Sequence, residues 1–110
     1  MKPDIPEEIQ KLAEYRSARC RALGNTQRVL ILWLLKERKR TVSELAQAIG
    51  VSVTNTYRHL SILGFHNLVE GRQDVDGFYY HVSGNELTRN CPVIKDRPKD
   101  VLMKTNQNSA

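Results

Sequence analysis

Apolar residues recur at helical spacing through most of this chain and change to strict alternation only between Leu68 and Val82, which separates a helical body from a hairpin. The clearest helical stretch is Val42, Leu45, Ala46 and Ile49, at i, i+3, i+4 and i+7, so one face of a helix is buried there. Thr41 and Glu44 form a capping box ahead of it, each satisfying the other's free backbone N–H. Gly50 ends that helix, because glycine takes the left-handed C′ conformation without a Cβ penalty, and Ser52 is the next N-cap. From Val53 onward, at about 100° per residue, Thr56, Leu60 and Leu63 fall on one side and Thr54, Tyr57, Arg58 and Ser61 on the other. Asn55 and His59 sit at the edge of the polar stripe, which is free to face a groove.

After this second helix, Leu68 and Val69 pair by pattern with Phe78, Tyr80 and Val82, which alternate with Tyr79 and His81. Arg72, Gln73, Asp74, Val75, Asp76 and Gly77 lie between the strands, with Asp76-Gly77 as the turn signal. Two short helices around a tight turn, followed by a hairpin, outline a mainly α fold with a small antiparallel hairpin, the winged helix-turn-helix. Upstream, Pro6, Glu7 and Glu8 read as a helix start, with the carboxylates placed favourably against the N-terminal dipole. Ile9, Leu12, Ala13, Cys20 and Leu23 continue that helix to Gly24. Asn25 caps the next element. The run from Val29 to Leu35 is apolar throughout, so periodicity cannot separate a buried helix from a buried strand there. The Asn25 cap and the segment from Lys36 to Arg40 favour helix, and those basic residues, which could also touch phosphates, read first as a solvated helix end with cations near the C-terminal dipole. The chain then divides into residues 1–24, a first helix; 25–83, the reading core; and 84–110, a short helix over 84–90 followed by Cys91, Pro92 and a polar tail from Lys95, either flexible or packed on a partner subunit.

The chemistry on the polar stripe is that of a DNA reader. Short hydroxyl and amide side chains near the start of a recognition helix suit its insertion into the major groove. Arg58 can bind guanine O6 and N7 in a bidentate way, Asn55 can do the same for adenine, and Thr54 and Tyr57 can serve bases or phosphates. His59 reaches the backbone or braces the helix, Ser52 caps it, and Arg72 is the wing's best phosphate ligand, while Asp74 and Asp76 oppose deep minor-groove insertion. No acidic residue occurs from Leu45 to Val69. The 17 basic against 12 acidic residues give a net charge of +5 and a sequence pI near 9.5, which suits a polyanionic partner. With 110 residues there is one domain, small enough that dimerisation would help cover apolar surface. The absence of a long apolar stretch or a signal-peptide core makes the cytoplasm the expected location, with no membrane partner. There is no Gly-rich phosphate loop, no paired-His metal motif and no nucleophile with a base at a diagnostic spacing, so an enzyme is not expected.

Leu23, Gly24, Asn25 and Arg28 with the apolar run after them, then Ser43, Glu44, Leu45 and Ala46, then Val51 and Ser52 leading to Arg58, His59, Leu60 and Leu63, and finally Leu68, Val69, Phe78, Tyr79 and Tyr80, resemble the ArsR/SmtB family of bacterial and archaeal repressors. The similarity runs from Arg21 to Ser83. It implies a homodimer joined through the first helix, with two recognition helices in successive major grooves of a pseudo-palindromic operator, and release of the DNA by an inducer. Val53 and Tyr57 stand where the family commonly has Gln and Ser, so the operator sequence does not carry over.

The family's inducer sites transfer poorly. Members that sense metals at the first helix of the motif use Cys-X-Cys, and those positions here are Thr41 and Ser43. The Asp, His, His and Glu set of paired C-terminal helices has no counterpart after His81. Cys20 and Cys91 are the only thiols. The resemblance implies that the regions carrying them meet at the dimer interface, where they would act as a thiol-based redox, sulfur or soft-metal switch. The plainer reading makes Cys20 a buried packing residue and Cys91 incidental, and two sulfurs, even with His81, are a poor structural zinc site. No cofactor is required. His66, where the recognition helix ends, is expected to be favoured as histidinium by the dipole. The competing function is a winged helix that has lost DNA and binds another protein through Tyr57 and Ile62.

Overall fold

The structure is a computed structural model that describes residues 5–99 and 101. Four helices come first, α1 (Glu7–Leu23), α2 (Thr26–Glu37), α3 (Val42–Ile49) and α4 (Val53–Phe65). The hairpin β1 (Val69–Asp74) and β2 (Gly77–Val82) and two single turns, α5 (Glu86–Arg89) and α6 (Pro92–Lys95), follow. The fold is therefore mainly helical with one two-stranded antiparallel sheet. Among the described residues no helix is long and apolar enough to cross a membrane.

The ambiguous run from Val29 to Leu35 is helix, and its uniform hydrophobicity reflects its central place. Asn25 Oδ1 accepts from Arg28 N, starting α2, and Ile31, Leu32, Leu34 and Leu35 are buried in it. Leu45 from α3, Leu60 and Leu63 from α4, and Leu68 and Val69 at the start of the wing close around them. Burying each such side chain is worth about 1.5–3 kcal/mol, so α2 is the element on which the rest is assembled. The capping box of α3 is present in both directions, Glu44 N to Thr41 Oγ1 at 3.1 Å and Thr41 N to Glu44 Oε1 at 2.9 Å. Gly50 takes φ 74°, the left-handed cap that a β-carbon would strain.

The basic segment after α2 differs from its expected form. The helix stops at Glu37, Arg38 is extended, and Arg40 pairs with the wing, Arg40 N to Tyr80 O at 3.1 Å and Tyr80 N to Arg40 O at 2.8 Å. Lys36, Arg38 and Lys39 are exposed as a solvated helix end requires, but Arg40 is only 5% exposed. Its Nε donates to the Leu34 carbonyl at 3.0 Å and its Nη2 to Glu37 Oε1 at 2.8 Å. The backbone bridge draws Arg40 inward, and the Leu34 carbonyl near the end of α2, which also accepts from Arg38 N at 3.3 Å, gives its guanidinium a partner there.

The wing turn is also displaced. Asp74 pairs with Gly77, so Val75 and Asp76 form the loop and Gly77 opens the return strand with φ 152°. Arg72, Gln73 and Asp74 thus belong to the ladder rather than to the loop.

The C-terminal region corrects the expectation of one helix and a tail. Asn85 caps α5 by accepting from Thr88 N, and α6 follows with Pro92 in its first turn. Cys91 and Ile94 are buried in the core, and Trp33 Nε1 donates to the Val93 carbonyl at 2.8 Å. Glu37 Oε2 then accepts from Val101 N at 2.9 Å and lies 3.4 Å from Arg97 Nη1. Cys91, Val93, Ile94 and Val101 therefore pack in or against the core, while residues 102–110 of the tail expected from Lys95 lie outside the described residues.

Candidate nucleic-acid interface

The exposed surface of the helix-turn-helix is built by a helix start that holds itself together. Ser52 Oγ accepts from Asn55 N at 3.1 Å, and the Ser52 carbonyl accepts from both Thr56 N at 2.9 Å and Thr56 Oγ1 at 2.8 Å. The fully buried Thr56 hydroxyl is thereby satisfied, and with Leu60 and Leu63 it fixes the rotation of α4 about its axis. Thr54, Asn55, Tyr57, Arg58 and Ser61 are consequently exposed. Arg58 Nη1 lies 3.5 Å from Asn55 Oδ1, which aligns the two side chains along one ridge while most of the guanidinium donors stay free. His59 is half-buried at the edge of this ridge, with Nδ1 3.3 Å from Arg28 Nη1. Burial and the charges of Arg28 and Arg58 hold its pKa below the usual histidine value.

On the wing, Arg72 is exposed on β1 opposite Tyr79. Asp74 is not a bare charge, since it is paired with Lys39, whose ammonium also lies 4.3 Å from the centre of the Tyr79 ring. The bond to Lys39 holds the Asp74 carboxyl below the ordinary range and raises the Lys39 ammonium in return. The obstacle to a polyanion at the wing is thus smaller than two free aspartates would make it. Val75, at the tip, is fully exposed.

The structure brings Ser52, Thr54, Asn55, Tyr57, Arg58 and His59 onto one element and sets Arg72 on another. The thiols are arranged opposite to the plainer expectation, with Cys20 exposed and Cys91 buried at 8% exposure. Cys20 lies in the last turns of α1, whereas Cys91 is the N-cap of α6. Both nevertheless line one groove of about 320 Å³ with Arg19, Leu23, Leu68 and Leu87. His81 lies apart from that groove, and among the described residues no three His, Cys, Asp or Glu side chains are grouped to hold a metal ion. His66 also departs from expectation. Although it caps the end of α4, its pKa is lowered by burial and by the charges of Arg19, Arg21 and Arg28.

Sequence reasoning missed Arg28, Glu37, Lys39 and Arg40 as organising residues. Only Arg28 carried a signal, as part of the quoted family pattern. Lys39 acts through Asp74 and Glu37 through Arg97 and Val101, all distant in the chain, while the burial that gives the local Glu37–Arg40 pair its weight comes with the bridge to Tyr80.

Residues 25–70 match the family described as "Bacterial regulatory protein, arsR family". The nodulation protein NolR of Rhizobium meliloti is 32% identical over 92 residues, 84% of this chain and 75% of that protein. The crystal structure of NolR from Sinorhizobium fredii superposes with a TM-score of 0.71 at 32% identity, covering 81% of this chain and 88% of that one. The solution structure of a homodimeric winged helix-turn-helix DNA-binding domain from Mycobacterium bovis, a possible ArsR-family transcriptional regulator, gives a TM-score of 0.68 at 28% identity, covering 80% and 82%. With its core sequence and winged helix-turn-helix both matched, the chain belongs to the arsR family of bacterial regulatory proteins, a regulator rather than an enzyme.

Proposed function

We propose that this protein is a homodimeric, sequence-specific DNA-binding transcriptional repressor, cytoplasmic, that an inducer releases from its operator. The observation that carries this reading is the exposed row of Thr54, Asn55, Tyr57 and Arg58 on a helix whose opposite face, Thr56, Leu60 and Leu63, is locked in the core. Such a row can be inserted into a major groove without disturbing the fold. Two copies related by a two-fold axis would read half-sites of a pseudo-palindromic operator about one helical turn apart. Support for the dimer comes from α1, where Ile9, Leu12 and Tyr15 stay 52%, 45% and 49% exposed in the single chain, and from the homodimeric M. bovis relative. For the inducer, the shared groove of Cys20 and Cys91 favours a thiol-reactive or soft-metal species, since thiolates bind soft ions and can close a disulfide. No cofactor enters this reading.

Selection of bound duplexes from a random pool, run with reduced and with mildly oxidised protein, tests it. An inverted repeat recovered only by the reduced protein supports both the repressor and the thiol switch. Recovery in both states keeps the repressor and assigns the cysteines to packing. No enrichment in either state refutes DNA reading. A second reading, a protein-docking module, is favoured by Tyr57 and Val53, 48% and 43% exposed on the same face. It predicts loss of partner binding in Tyr57→Ala and weak salt dependence. DNA reading predicts loss in Arg58→Ala and a steep fall of affinity with salt, about 0.9 logarithmic units per released phosphate counterion for each decade.

A further inference from the structure

Arg28 bonds to groups on two other helices, α1 and α4. From the first turn of α2 its guanidinium reaches the end of α1, where Nε donates to the Ala22 carbonyl at 2.6 Å and Nη2 lies 3.5 Å from the Arg21 carbonyl. These carbonyls lack full helical partners, and the negative end of the α1 dipole favours a cation beside them. The other amino group, Nη1, is 3.3 Å from Nδ1 of His59 on α4. Arginine stays protonated and carries donors only, so Nδ1 must be the acceptor. The proton of a neutral His59 then sits on Nε2, at the far side of the ring. An imidazolium would set a second donor against the guanidinium. The charged groups facing the ring are Arg28 from α2 and Arg58 from α4 itself, both cations, so the electrostatics agree with the geometry in favouring the neutral ring.

We propose that Arg28 is a positioning residue for DNA reading, which holds His59 as the neutral Nε2–H tautomer so that this N–H meets a phosphate oxygen at the edge of the recognition surface. The proposal rests on the DNA-reading function of α4. It gives His59 a role that needs no charge, and it ties the presented N–H to the end of α1. The acceptor is a phosphate rather than a base because His59 lies at the margin of the row formed by Thr54, Asn55, Tyr57 and Arg58, where the groove gives way to the backbone.

The test has two independent arms. In ¹H–¹⁵N spectra of the imidazole rings, the free wild-type protein should show His59 as the Nε2–H tautomer at neutral pH, and Arg28→Met should shift it toward a mixture. An Nδ1–H tautomer or an imidazolium in the wild type overturns the proposal. In the second arm, affinity for a selected duplex is measured. His59→Gln, whose amide reaches the Nε2 position, should bind within about threefold of wild type, whereas His59→Asn should lose about tenfold, one hydrogen bond to a charged acceptor. Arg28→Met should cost about tenfold in the wild-type background and less than about threefold on His59→Asn, the non-additivity expected of residues acting through one contact. Equal losses in both backgrounds overturn the proposal, because Arg28 would then act without His59. Arg28→Lys, which can still bond the Ala22 carbonyl but not span to His59, should resemble Arg28→Met in both arms and guards against a variant that merely fails to fold. If the wild type binds no duplex, the DNA-reading function and the phosphate contact fall together, while the spectra judge the tautomer separately.

Discussion

Replacing Arg40 with methionine should destabilise the fold far more than a charge change in a basic surface run normally does. Methionine retains much of the apolar stem, so the loss falls mainly on the guanidinium. That group is all but inaccessible, its side chain 7% exposed against 19% for the Glu37 side chain it pairs with. Removing it strips a donor from the Leu34 carbonyl and another from Glu37 Oε1. Breaking a buried ion pair from one side costs about 3–5 kcal/mol when the survivor is left alone. Here Glu37 keeps Val101 N and Arg97, which lowers the expected cost to about 2–4 kcal/mol. On a domain of this size that corresponds to a melting point lower by roughly 10–20 °C. Urea unfolding at fixed protein concentration measures it, the concentration held constant because association would add its own stability. Glu37→Gln should cost less, and the double variant should cost less than the sum of the two. A loss under about 0.5 kcal/mol for Arg40→Met, the range of an ordinary surface substitution, would refute the reasoning and return Arg40 to the solvated helix end.

Other outcomes follow from smaller features. Ser52→Ala removes the cap bond to Asn55 and should cost about 1 kcal/mol in urea unfolding; an unchanged midpoint would mean that water replaces the cap fully. Arg58→Ala should weaken binding to a selected duplex by about 1–3 kcal/mol with altered base preference, whereas Arg72→Ala should weaken all duplexes alike and reduce the salt slope, and the reverse assignment would move base reading to the wing. Stability should fall as pH drops through about 6.5, because His59 and His66 have lowered pKa values when folded and the unfolded chain therefore takes up protons first. His66→Gln should flatten that dependence in melting curves between neutral pH and pH 5, and an unchanged slope would show that His66 is not the group responsible.

The parts of the fold that could be read from the chain are those decided within a few residues. The Thr41–Glu44 box, the Gly50 stop and the Ser52 cap each complete their hydrogen bonds inside one helical turn, so their chemistry is local and visible. The same holds for the division of α4 into a buried and an exposed side. What escaped depends on distant partners. Arg40 sits in a run that looks solvated, and its burial is decided by Tyr80 on the far strand of the wing. The Asp76-Gly77 pair marked the hairpin correctly, but the ladder draws Gly77 into β2 and leaves Val75 and Asp76 to make the loop. Cys20 and Cys91 exchanged their expected burial because a helical stripe does not say which of its positions another element covers, and because Cys91 reaches the core only through the turn of α6 that follows it. The exposed row of Thr54, Asn55, Tyr57 and Arg58 was identifiable from the chain; the setting of His59 was not, since it depends on Arg28 from another helix.

An arginine at the start of α2 and another just past its end tie α2 to neighbouring elements. At the start, Arg28 joins the end of α1 to His59 beside the recognition row. At the far end, Arg40 is bonded to the carbonyl of Leu34 and through its backbone to Tyr80 of the wing. The 12 residues between cap and end span about 18 Å at 1.5 Å per residue, and the buried side chains of Ile31, Leu32, Leu34 and Leu35 prevent that span from changing without opening the core. Recognition helix and wing are thus attached to opposite ends of one rigid member. Arg28 thus joins the end of α1 to α4, and Glu37, bonded by both Arg40 and Val101 N, joins the C-terminal segment to the residue that bridges to the wing. The groove lined by Cys20 and Cys91 lies between α1 and the start of that C-terminal segment.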